Sequence, residues 1–334
     1  MKRILSIVLA VLTVASVFAF ASCADTAETT PKMGLGVYSA ASKASNAEGE
    51  TKGVGQVAIT AAAVLVDADG KVVKCVIDTA DNKAEYTSDG KAVASDSFKT
   101  KYELGKDYNM VAYGGATKEW YEQADAFAAL VVGKTASEIK ALVAESKKGT
   151  DEVINAGCTI TIEEFVLAVD KAIANATDSA ATASSTLKLG MYTELTGKDA
   201  TADKVGENKL ETTVFAAALG ADGKIAVASS DCVQVAFTFD TKGASTYDLT
   251  AKIESKKDKG AAYGMSQWGT DLNGDGTVKE WIDQAAAFNA ACAGKTVAEI
   301  KALMADNNYG VADLQSAGCT ILVSGFVKAA EKIG

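Results

Sequence analysis

Short runs of alternating apolar and polar residues occur in the first half of the chain and return in the second. A period of two is typical of strands that bury one face, and Asp-Gly between two such runs indicates a hairpin. Asp69-Gly70 and Asp222-Gly223 stand between such runs. The predicted strands are 56–66, 71–78 and 98–104 in the first half, and 212–219, 224–229 and 248–255 in the second.

Apolar residues at helical spacing follow the strands in each half. The predicted buried faces are Trp120, Ala124, Phe127 and Val131 in the first half, and Trp281, Ala285, Phe288 and Cys292 in the second. Thr135 with Glu138, and Thr296 with Glu299, have the spacing of a capping box, which predicts that another helix begins there. Strands followed by helices predict an α+β fold, in which an antiparallel sheet packs against about three helices in each half.

The two halves share residues at a constant spacing. Trp120 and Trp281 lie 161 residues apart, and the same spacing aligns Glu138 with Glu299. Such a register indicates duplication, so we predict two tandem homologous domains. The predicted divisions are a signal peptide at 1–22, a lipidated tether at 23–33, a first domain at 34–175, a Ser/Thr/Ala-rich linker at 176–187 and a second domain at 188–334.

The first residues have the pattern of a secretion signal. Lys2 and Arg3 precede an apolar run at 4–20 that is short for a membrane span. The sequence Phe20-Ala21-Ser22-Cys23 resembles a bacterial lipobox. The resemblance implies cleavage before Cys23, lipidation of its thiol and an extracytoplasmic protein held on the outer face of the cytoplasmic membrane. The alternative is an ordinary signal peptide in which Cys23 is coincidental.

The amino-acid composition excludes several kinds of function. The net charge of −10 opposes binding to nucleic acid, whose phosphates require a basic surface. The chain contains no His, and its only Arg is Arg3. Catalytic sets that need an imidazole, including those of most hydrolases, are therefore excluded. A bound phosphate would have to be held by Lys, backbone amides or the start of a helix.

One five-residue stretch occurs twice, before the last predicted helix of each half. The copies are Ala156-Gly157-Cys158-Thr159-Ile160 and Ala317-Gly318-Cys319-Thr320-Ile321. A Gly among small residues, followed by Thr, would bring backbone N–H groups and a hydroxyl around a phosphate. A tight turn packed beneath a helix explains the same residues equally well.

This stretch and the amphipathic run after it resemble the end of the FMN-binding domain of bacterial membrane redox subunits and surface lipoproteins. In that family a separate flavin transferase attaches FMN to a Thr or Ser hydroxyl through a phosphoester bond. By position, the resemblance implies Thr159 and Thr320 as acceptors, with Gly157 and Gly318 beside them. It also implies an electron carrier with a membrane redox partner.

The motif departs from the family pattern. Val153 and Leu314 stand where the family has Asp. Ala156 and Ala317 replace a Ser or Thr, and a Cys replaces the following Ala in both copies. A transferase that reads the Asp would therefore meet an altered site.

Two further features suggest ligands. Trp120 and Trp281 would stack on a flavin ring, although their helical spacing favours a role in the core. Asp271, Asn273 and Asp275 have the spacing of the first ligands of a calcium loop, but position twelve is not acidic. An Asx-rich turn that binds no metal is the alternative.

Two functions therefore stand side by side. The first is a lipid-anchored electron carrier with an FMN-binding-like domain in each half. The second is a non-catalytic binding or structural lipoprotein that has lost the flavin.

Overall fold

The computed structural model describes residues 30–269, 271–272 and 276–334. Within these residues, two antiparallel sheets are formed by strands in sequence order. The first sheet consists of β1 (Lys32–Ser45), β2 (Gly53–Val66), β3 (Val72–Tyr86) and β4 (Ala92–Val93). The second consists of β5 (Thr186–Lys198), β6 (Gly206–Leu219) and β7 (Ile225–Phe239). The predicted α+β class is confirmed.

Helices follow each sheet. Those of the first half are α1 (Lys101–Leu104), α2 (Trp120–Leu130), α3 (Ala136–Lys140), α4 (Asp151–Ala156) and α5 (Glu163–Ala174). Those of the second half are α6 (Lys256–Lys259), α7 (Met265–Trp268), α8 (Trp281–Cys292), α9 (Val297–Ile300), α10 (Ala312–Ser316) and α11 (Ser324–Glu331). The described residues thus hold more helices than the predicted three per half, because several are only four to six residues long.

Both faces of each sheet are buried. On β2, Ile59 packs against the other sheet, whereas Val64 packs against the helices of its own half. On β6, Val214 packs against the first sheet, whereas Phe215 packs against the helices of the second half. The molecule therefore has four layers, in the order helices, sheet, sheet, helices. Burial on two faces explains why β2 is apolar along most of its length, instead of alternating strictly.

The contact between the sheets contains specific polar and aromatic pairs. Asn82 Nδ2 donates to the hydroxyls of Thr193 and Thr212 at 2.9 and 3.0 Å, inside a mainly apolar layer. The rings of Tyr86 and Phe239 stack with centroids 4.3 Å apart. Because a buried polar group is costly unless it is paired, the Asn82 bonds favour one alignment of the two sheets.

The strands predicted at 98–104 and 248–255 are wrong. In the first region, the Thr100 side chain accepts the backbone N–H of Glu103 and starts α1. In the second, Ser255 accepts the N–H of Asp258 and starts α6. Side-chain caps satisfy helix N–H groups that a strand would pair with a neighbour.

The segment predicted as a linker packs against both halves. Ala181 is fully buried in the apolar layer between the sheets. Thr177 and Met33 exchange backbone hydrogen bonds of 3.0 and 3.1 Å. Strand β1 begins at Lys32, within the region predicted as a tether. The connection between the halves is thus part of the folded structure.

Several predicted features lie outside the described residues. These are the signal peptide and Cys23, together with Asn273 and Asp275 of the predicted calcium loop. Among the helices that the structure does describe, none has the length and apolar character needed to cross a membrane.

Candidate functional site

The repeated Ala-Gly-Cys-Thr stretch forms a turn that ends a short helix. Gly157 follows α4 with φ of 102°, and Gly318 has the same φ after α10. This left-handed conformation favours Gly. The N–H groups of Gly157 and Cys158 donate to the carbonyls of Ile154 and Val153 at 3.0 and 3.1 Å. These amides close the preceding helix and therefore do not point at a ligand.

A buried glutamine fixes the Thr of each stretch. Gln123 Oε1 accepts the backbone N–H of Thr159 at 2.8 Å and its hydroxyl at 3.0 Å. Gln284 Oε1 makes the same two bonds with Thr320, at the same distances. Each glutamine is only 1% exposed. Thr159 is exposed and Thr320 is half-buried, so neither hydroxyl is sealed in the core.

A lysine covers the Gly of each turn. The Nζ atoms of Lys118 and Lys279 lie where a Cβ atom at Gly157 and Gly318, respectively, would stand. Any larger residue at either Gly would displace this ammonium as well as strain the backbone. The turn therefore carries a positive charge in both halves, although its amides are already bonded.

The two predicted ring-stacking tryptophans are core residues. Trp120 and Trp281 are each 3% exposed. Trp120 contacts Phe165 edge to face, with centroids 5.6 Å apart, and Trp281 stacks on Phe326 at 5.8 Å. Their faces are thus largely occupied by protein. Trp281 nevertheless contributes to the wall of a cavity in the second half.

That cavity has a volume of about 350 Å³ and lies between the second sheet and its helices. This size is within the range of small-molecule sites. Its aromatic lining consists of Tyr192, Tyr263, Trp268, Trp281, Phe326 and Tyr309. Trp268 is 61% exposed, so an indole stands at the opening. Thr320 also lines the cavity, whereas Gly318 does not.

A charged network forms one side of the cavity. Lys256 Nζ lies 2.9 Å from Glu211 Oε1 and 5.4 Å from the ring centroids of both Tyr263 and Trp281. Gln234 Nε2 donates to Glu211 Oε2 at 2.6 Å. Burial opposes ionisation of Glu211, but the Lys256 ammonium and the hydrogen bonds outweigh it and hold the pKa of this carboxyl below its usual range.

The cysteine beside this network is not an activated nucleophile. Cys232 lines the cavity, is 2% exposed and donates from Sγ to Glu211. Burial raises the pKa of its thiol well above the ordinary value. The side chain therefore remains a neutral thiol, and the charges around it serve for binding and packing.

The first half has a glutamate at the position that borders the cavity in the second half. Glu164 in the first turn of α5 accepts from the Thr60 hydroxyl at 3.2 Å, and Thr60 is also bonded to Thr79 at 2.9 Å. Gly325 holds the same place in α11, where a Cβ would lie 2.7 Å from Thr213 Oγ1. The first half therefore has a carboxylate at this place, whereas in the second half Gly325 lets the start of α11 pack directly against Thr213, and both residues line the cavity.

The predicted calcium site stays a prediction, because Asn273 and Asp275 lie outside the described residues. Asp271 Oδ2 accepts the backbone N–H of Gly276, five residues further along the chain, at 2.8 Å. Among the described residues there is no group of three or more metal-ligating side chains.

The chain was compared with known protein families, curated proteins and solved structures, and no match was found.

Sequence reasoning missed the residues that distinguish the cavity. Glu211, Lys256 and Thr213 lie on a strand or a short helix whose contacts are set by the tertiary fold. A signal did exist: aligning the halves at 161 residues places Ser324-Gly325 opposite Glu163-Glu164. Two acids in one helix start are thus matched by two small, neutral residues in the other.

Proposed function

We propose that this protein is a non-catalytic, lipid-anchored extracytoplasmic binding protein built from two homologous domains, of which the second holds a small ligand. The cavity of about 350 Å³ beside Gly325 is the observation that carries this proposal. Its exposed aromatic opening and paired charges are features of binding sites. The lipid anchor rests on the lipobox-like sequence that ends at Cys23.

The similarity of the halves supports a division of labour. Both contain a turn fixed by a buried Gln and a Lys, but Glu164 is replaced by Gly325. Gly is a weak helix former, so its place in the first turn of α11 has a structural cost. The close approach of α11 to Thr213 at the cavity wall gives Gly325 a purpose, because any Cβ there would lie only 2.7 Å from Thr213 Oγ1. The first domain then serves mainly to cover the second sheet.

Flavin binding is the second candidate, because Thr320 and Trp281 both line the cavity. An FMN phosphoester on Thr320 would replace the hydroxyl proton now donated to Gln284. Lys279 would supply a nearby positive charge. The motif turn offers no unbonded amide from Gly318 or Cys319, which weighs against a phosphate held by the backbone.

The test is to compare the full chain with Gly325→Glu, which restores the side chain found in the first half. Ligand-observed NMR with a library of ring-containing fragments should detect binders to the wild type. The variant should lose them, while Glu164→Gln serves as a matched control in the other half. Binding that survives Gly325→Glu, or no binding to either protein, would contradict a site in this cavity.

Co-expression with a flavin transferase separates the flavin candidate. A yellow protein with a mass increase on the peptide around Thr320 would establish flavin attachment. Colourless, unmodified protein that still binds fragments would favour the binding protein without flavin.

A further inference from the structure

The cavity of the second half contains a hydroxyl that has no hydrogen-bond partner among the described residues. Thr213 is 6% exposed and lines the cavity. Its counterpart Thr60 bonds both the Thr79 hydroxyl and the Glu164 carboxylate. In the second half, Cys232 pairs with Thr213 in the sheet as Thr79 pairs with Thr60, Gly325 takes the place of Glu164, and no described residue hydrogen-bonds the Thr213 hydroxyl. The Thr213 hydroxyl is thus accessible from the cavity, where a ligand or water can supply its hydrogen bond.

The adjacent helix start has also lost its acidic residues. In α5, Glu163 and Glu164 lie in the first turn, where the helix dipole favours negative charge. No acidic residue is present in the first turn of α11. Ser324 and Gly325, which begin α11, both line the cavity. A helix start leaves its first N–H groups without intrahelical acceptors, and among the described residues the N–H groups of Ser324 and Gly325 have no hydrogen bond, so these donors are available at the cavity wall.

The surrounding charges permit an anion. Glu211 and Glu194, the two carboxylates of the lining, are each paired with a lysine. Their partners are Lys256 at 2.9 Å and Lys328 at 3.1 Å. Neither carboxylate therefore presents an uncompensated negative charge. The helix start adds a partial positive charge at the other side of the cavity.

Building on the binding function proposed above, we propose that the second domain binds a small aromatic carboxylic acid. Its carboxylate takes the place that the Glu164 carboxylate has in the first domain, and accepts hydrogen bonds from Thr213 and the start of α11. Its ring extends towards Tyr263 and Trp268 at the opening. The first domain thus carries, as its own side chain, a copy of the group that the second domain takes from solution.

The test uses a matched pair of probes, indole-3-acetate and the uncharged indole-3-acetamide, titrated into the full chain by calorimetry and ligand-observed NMR. A hydrogen bond to a charged group is stronger than one to a neutral group, so the carboxylate should bind at least about tenfold more tightly. Thr213→Val should remove most of that difference while leaving binding of the amide nearly unchanged. Gly325→Glu should abolish binding of both probes.

The outcomes distinguish the two proposals. Equal or tighter binding of the amide would overturn the carboxylate inference and leave the binding cavity intact. A wild-type preference for the carboxylate that persists in Thr213→Val would equally overturn it. If neither indole binds, the inference fails, and the binding function fails as well only if the fragment library also gives no binders. Glu164→Gln, which lies in the other half, should leave both affinities unchanged.

Discussion

Replacing the buried aspartates beneath α1 and α6 should change how stability depends on pH. Asp78 Oδ1 accepts the backbone N–H of Thr79 at 2.7 Å and that of Tyr102 at 3.2 Å. Asp231 makes the equivalent bonds to Cys232 and Lys257 at 2.7 and 3.0 Å. Burial raises the pKa of Asp78 to about 7 and that of Asp231 to about 6. In both cases desolvation outweighs the hydrogen bonds that favour the charged form.

The direction of this pH dependence follows from the linkage between proton binding and folding. A carboxyl whose pKa is raised from 3.8 to about 7 binds its proton more tightly in the folded state. Its stabilisation is fully present below about pH 4 and is lost as the pH rises through about 7. Raising the pKa by about three units corresponds to about 4 kcal/mol in the free energy of unfolding for Asp78. Raising it by about two units corresponds to about 3 kcal/mol for Asp231.

Asp78→Asn tests this reasoning, because the amide retains an oxygen for the two N–H groups but does not titrate. Urea unfolding of the wild type should show a free energy of unfolding that falls by about 1.4 kcal/mol per pH unit from this group alone. The variant should show a correspondingly flatter profile between about pH 4 and 7. Asp231→Asn should flatten a narrower window that ends near pH 6. If the wild type and Asp78→Asn showed parallel profiles of unfolding free energy against pH, the inference that burial holds a proton on Asp78 would be refuted.

Two further predictions concern the site. Gln284→Leu removes the acceptor for the Thr320 N–H and hydroxyl, and should cost about 1–3 kcal/mol in urea unfolding. Gln123→Leu should give a similar loss, and no loss in either variant would show that water replaces the glutamine. Lys256→Met leaves the partly buried Glu211 without its cation, and should cost about 2 kcal/mol at neutral pH. This loss of stability should become smaller in acid. A loss of the same size at every pH would argue against the loss of an ion pair.

The sequence predicts the α+β class because Asp-Gly turns and helical spacing are local signals. The faces that contain Phe127 and Phe288 are fully buried, as their spacing predicts. The start of α1 also had a local signal, since Thr100 and Glu103 form a capping box. Strands β1 and β5 were missed, because their small and polar residues are buried only by the opposite sheet and the last helices.

The candidate site was less predictable. The repeated Gly and Thr were found from sequence, but the hydrogen bonds to Gln123 and Gln284 span 36 residues and depend on the tertiary fold. These bonds decide which groups of the turn face outwards. The cavity depends on Gly325 lying against Thr213, a contact that no local pattern encodes.

The layer shared by the two sheets has a consequence for how the chain can be divided. If the chain were cut near Ala181, each fragment would expose a broad apolar surface, together with one ring of the Tyr86–Phe239 pair. Neither fragment should remain a soluble monomer, but the two expressed together should reassemble like the subunits of a heterodimer. Two halves that meet in this way have the arrangement expected if the gene of a homodimer were duplicated and fused.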